Sequence, residues 1–144
     1  MANITRLTEL LELIRAVDPA KLDLSEWRER IVGEQPVYPG AISDKDLIND
    51  CGTIACAVGW ACAHPPFKEQ GLLYDSMFGF PVLHTQSGVL DGWEAVEEFF
   101  SISHKEARTL FMYDKDEDGN EVKGVVPDHQ LVIDRLEQFI VERG

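Results

Sequence analysis

Between Cys51 and Phe67 the chain carries no Asp, Glu, Lys or Arg, and its three cysteines, Cys51, Cys56 and Cys62, all fall in that interval. A helix lying on a surface needs a charged face, so an uncharged run of small and apolar residues predicts a buried central helix at about 53–63. Cys51-Gly52-Thr53 forms its entrance, with the Thr53 hydroxyl expected to cap the first turn, and Pro65-Pro66 its exit. Ala55, Gly59 and Cys62 would share one helical face where a neighbour can approach closely, while Trp60 anchors another.

Around this centre the expected elements are mostly helical. Leu7, Leu10, Leu11, Leu13, Ile14 and Val17 define an amphipathic first helix, ended by Asp18-Pro19. Ser25 is placed to cap a short helix through Ile31, followed by a Pro- and Gly-marked loop from Gly33 to Gly40. Gly71–Tyr74 and Phe80–His84 read as short strands or extended loop. Asp91 with Glu94, and Ser103 with Glu106, are two capping boxes, opening helices to Phe100 and to about Met112. Pro127 starts a last helix with Leu131, Val132, Leu136, Phe139 and Ile140 inward. The expectation is a mainly α protein, one compact domain over 1–144, with about five to six helices and at most a small β-hairpin or short strands.

Charge narrows the function classes. Twenty-six acids against thirteen bases give a net charge of -13 over 144 residues, which argues against unassisted contact with nucleic acid or an anionic membrane. Clustered cysteines of odd number argue for reduced thiols and a cytoplasmic setting rather than a disulfide framework. The apolar run is too short to span a bilayer and ends in two prolines.

Three groups of residues carry candidate chemistry. Cys51, Cys56, Cys62 and His64 are metal-ligand types, but their spacing differs from paired Cys-x2-4-Cys zinc motifs, and packing is the stronger reading. Cys51 at a helix N-terminus, with His84, His104 or His129 as base, would be the nucleophile of a cysteine hydrolase. Asp50-Cys51-Gly52 loosely resembles the Asp-Cys-Ser-Gly opening of bacterial cell-wall cysteine peptidases, with the serine missing here. The second group is Asp114, Asp116, Asp118 and Asn120, which with Gly119 match the first half of an EF-hand loop and could hold calcium; position twelve is Val125 where a bidentate Glu is needed. Its structural alternative is a solvated hairpin turn with Gly119 at positive φ. The third is Asp91, Glu94, Glu97 and Glu98, an acidic stripe able to meet a basic protein.

Cys51-Gly52-Thr53-x-x-Cys56-x-x-Gly59-Trp60-Ala61 resembles a signature of small proteins of phages and bacteria that have no established activity. Leu22–Trp27, Leu110-Phe111 and the Pro127-led helix extend the resemblance over most of 22–141. It implies a shared fold, with no site residue to carry over. The resulting expectation is a non-enzymatic, acidic, phage-type accessory protein that binds another protein, antagonising a basic or nucleic-acid-binding host factor, with no cofactor unless the acidic turn takes calcium.

Overall fold

The computed structural model describes the chain except residues 1, 25, 33–34, 38–41, 50–52, 76, 78, 116, 123–124 and 144, and except the side chains of 29–32, 35–37, 46, 49, 114 and 115. Helix α1 (Ile4–Ala16) buries Leu7, Leu10, Leu11 and Ile14, and the Asn3 side chain accepts from Arg6 N at its start. The extended backbone of Val17 ends it just before Asp18-Pro19, where the sequence places the stop. Its main partner is α7 (Asp128–Arg143), which buries Val132, Leu136 and Phe139 and holds Leu131 and Ile140 against the same core.

The region from 22 to 61 departs from the expected helices. Arg28–Val32 is a strand, β1, flanked by β2 (Gln35–Val37) and β3 (Thr53–Ala55) in a three-stranded antiparallel sheet of order β2-β1-β3. The short helix expected through Ile31 is therefore absent, and Ser25 lies outside the described residues. β-Branched Ile31-Val32 and Thr53-Ile54 favour the extended state, and pairing across the chain overrides local capping signals. The central helix shortens accordingly: α3 is Ala57–Ala61, with Cys56 as its N-cap and no side-chain cap bond. Thr53 is a fully buried strand residue and not a cap. Pro65 does not end the segment; it opens a further short helix, α4 (Pro65–Glu69). Helix α2 (Asp44–Asn49) precedes β3.

A second antiparallel sheet joins β4 (Leu72–Tyr74), β5 (Pro81–Thr85) and β6 (Gly88–Asp91), resolving the strand-or-loop alternative in favour of strands. Helix α5 (Gly92–Phe100) follows without the Asp91 side-chain cap bond, whereas α6 (His104–Phe111) has the full Ser103–Glu106 capping box. A two-stranded hairpin, β7 (Asp114–Lys115) with β8 (Glu121–Val122), leads to α7. The protein is thus mixed α and β, not mainly α. Residues from both three-stranded sheets and the helices share one continuous core, in which Phe67, Phe99 and Phe100 meet edge to face at 5.0–6.0 Å. Among the described residues no helix is long and apolar enough to cross a membrane.

Candidate functional site

The uncharged stretch closes around a charge supplied from elsewhere. Arg28, on β1, is 1 % exposed. Its guanidinium donates to the carbonyls of Ile42 (3.1 Å) and Gly59 (3.2 Å) and to Asp44 Oδ1 (2.7 Å), and lies 4.0 Å over the Tyr74 ring. Asp44 also accepts from Lys68 at 2.5 Å. Burial works to raise the Asp44 carboxyl, but the hydrogen bonds and charges of Lys68 and Arg28 prevail and hold it below its ordinary value. Gly59 is required by contact: a Cβ there would lie 1.8 Å from the Trp27 carbonyl oxygen and 2.8 Å from the Ala55 side chain. The close neighbour is the segment entering β1, not another helix. Trp60 donates its indole N–H to the Lys21 carbonyl at 3.1 Å. Gly59 and Trp60 of the motif thus act in packing.

Cys56 and Cys62 are buried, and burial pushes the Cys56 thiol up to about 11 and the Cys62 thiol higher still. A thiol so protonated is a poor nucleophile. Cys51 and Gly52 lie outside the described residues. The histidines offered as bases stand on β5 (His84), α6 (His104) and α7 (His129); His104 meets Glu97 at 3.1 Å, and His129 meets the Ile14 carbonyl at 2.6 Å. His64 packs against the Phe67 ring. Among the described residues no three His, Cys, Asp or Glu side chains gather as a metal site.

Beside Trp27 the molecule opens into a cleft of about 180 Å³. Trp27, just before β1, and Trp93, in the first turn of α5, form one wall, with ring centroids 4.8 Å apart and planes tilted by 50°. Phe111 and Tyr113, at the end of α6 and just beyond it, form another, and Cys56 lies beneath. Both tryptophans are half-buried; Glu26 and Glu121, from the approach to β1 and from β8, contribute exposed carboxylates. The Tyr113 hydroxyl is held by Asp128 and lies 3.2 Å from Asp23 Oδ1. Burial, reinforced by those carboxylates, keeps its phenol protonated well above the ordinary range.

The acidic stripe divides. Glu94, Glu97 and Glu98 border a shallow groove with Leu90 and Ile102, whereas Asp91 ends β6 and is not among the described residues lining it. The acidic turn is the hairpin: Asp114 pairs with Val122 and Lys115 with Glu121, and Gly119 takes φ 82° near its tip, with Asp118 and Asn120 exposed on either side. Asp116 and the side chain of Asp114 lie outside the described residues. No local sequence signal singles out Arg28 or Glu26, Glu121 reads only as position eight of the acidic loop, and Trp27 and Trp93 fall on separate expected helices. Only the strand pairing of 28–30 with 53–55 brings Arg28 to the cysteine motif, and no local pattern encodes that pairing. No family model, curated protein or solved structure matches the chain.

Proposed function

We propose that the chain works without catalysis, by binding a basic segment of another protein at helix α5. The observation that supports this most is the division of that helix: Trp93 faces an aromatic cleft, and Glu94, Glu97 and Glu98 border an acidic groove with apolar Leu90 and Ile102. A net charge of -13 adds attraction for a basic partner over distances of about a Debye length. The motif's resemblance to small phage and bacterial proteins suits an accessory role against a basic host factor, and the buried, protonated Cys56 and Cys62 offer no ready nucleophile. Selection of a random peptide library on the immobilised protein tests the reading. Enrichment of Lys- and Arg-rich peptides, with affinity falling as salt rises and lost in Glu94→Lys/Glu98→Lys, is the expected result. Enrichment without basic residues would refute it.

A further inference from the structure

We propose that the free edge of β6 takes up an extended basic segment of the partner as a further strand of the second sheet. This rests on the α5 reading above and adds to it the partner's conformation and the backbone it pairs with. β6 (Gly88–Asp91) is an outer strand in the order β4-β5-β6, so one of its sides faces no other strand. Hydrogen-bond direction shows what that side carries. His84 on β5 donates its N–H to the carbonyl of Gly71, just before β4, at 3.0 Å. The two backbone groups of a strand residue point to the same side, so His84 and its cross-strand neighbour Val89 form a pair that exchanges no hydrogen bonds. The Val89 N–H and C=O therefore turn away from β5, and no described residue bonds to either.

The edge is also uncovered. Val89 is 59 % exposed, and Gly88 and Asp91 are exposed with it. A Cβ added at Gly88 or at Gly92, at the two ends of the strand, would meet nothing within 4 Å beyond its chain neighbours. An outer strand in this condition is a template for another chain. An extended peptide laid along it gains main-chain bonds, and its alternate side chains set the specificity.

Charge then selects the occupant. Asp91 lies on the strand itself, and Glu94 and Glu98, exposed one turn apart on α5, border the groove that Leu90 lines from β6. Glu97 meets His104 at 3.1 Å, but among the described residues no cation pairs with Glu94 or Glu98. Every second side chain of an added strand would share the Leu90 face and reach that groove, so Lys or Arg at alternate positions meets carboxylates there. A second copy pairing β6 with β6 would instead bring these carboxylates against their own kind, on a chain of net charge -13.

A capped Lys-Val-Lys-Val-Lys peptide, titrated into the intact chain and followed by amide hydrogen exchange, tests the proposal. Saturation should slow exchange of the Val89 amide about tenfold or more, because that N–H gains an acceptor. Two versions of the peptide, N-methylated at its odd or at its even backbone positions, keep the charge and each lose the donors of one edge; at least one should bind about tenfold more weakly. Val89→Pro removes the outward donor without touching the β5 ladder, and should weaken the peptide by a similar factor; exchange in the parent chain decides independently of that variant. Binding that leaves the Val89 amide unprotected, or full affinity in both N-methylated peptides, would overturn the proposal. So would Val89 protection that grows with protein concentration in the absence of peptide, since a second copy would then fill the edge. If basic peptides bind and lose affinity in Glu94→Lys/Glu98→Lys while Val89 stays unprotected, strand addition is refuted and the α5 reading survives. No binding of any basic peptide refutes both.

Discussion

Trp27 and Arg28 are adjacent in sequence and opposite in fate. Arg28 turns into the interior, where two carbonyls, Asp44 and the Tyr74 ring meet it; Trp27 turns to an open cleft in which its indole ring is half-buried beside exposed carboxylates. One is a charge whose partners are built in, so it holds structure. The other is a half-buried aromatic side chain packed on Trp93 beside open space, so it borders the core without closing it. Trp27 lies in the bend that leads into β1 and Arg28 is the first residue of that strand, so a stabilising centre and an open cleft are separated by a single residue.

That contrast can be broken most severely at Arg28. Arg28→Met should cost roughly 3–5 kcal/mol, because it strands buried carbonyls and removes a partner of Asp44, and should lower Tm by about 10 °C or more in a thermal melt. Gly59→Ala forces the Trp27 backbone away and should cost about 3 kcal/mol by chemical denaturation. A smaller effect follows from Asp44. Its folded pKa is depressed below 3.8, so its stabilisation is complete above about pH 4 and is lost as pH falls through the folded value. Asp44→Asn should therefore flatten the decline in Tm below about pH 4 relative to the parent. Smallest of all, Glu121→Gln, at an exposed position on β8, should shift stability by no more than about 0.5 kcal/mol in the same denaturation series.

What could be read from the sequence follows the range of the interactions. Leu7, Leu10, Leu11 and Ile14 announce α1 because helical spacing is a local signal, and Ser103 with Glu106 announces α6 for the same reason. Gly119 marks the hairpin turn through its own backbone freedom. Residues 22–61 defy local reading because their state depends on β1 pairing with β3, about two dozen residues away, and the absence of charge in 51–67 reports burial without distinguishing a strand from a helix. The candidate site was legible only in pieces. Glu94, Glu97 and Glu98 were visible as a stripe, but Trp27, Trp93, Phe111 and Tyr113 converge from separate elements, and that convergence is tertiary.

Amide and indole chemical-shift mapping with a capped Ala-Lys-Ala-Arg-Ala peptide tests most directly whether this open region is the receptive one. Trp60 serves as the internal reference, since its indole N–H is engaged by the Lys21 carbonyl. The expected result is concentration-dependent shifts of the Trp93 indole signal and of the amides of Glu94, Glu97 and Glu98 on α5, with the Trp60 signal stationary. Shifts spread evenly over every acidic segment, including Glu137 and Glu142 on α7, or absent from both cleft tryptophans, would contradict it.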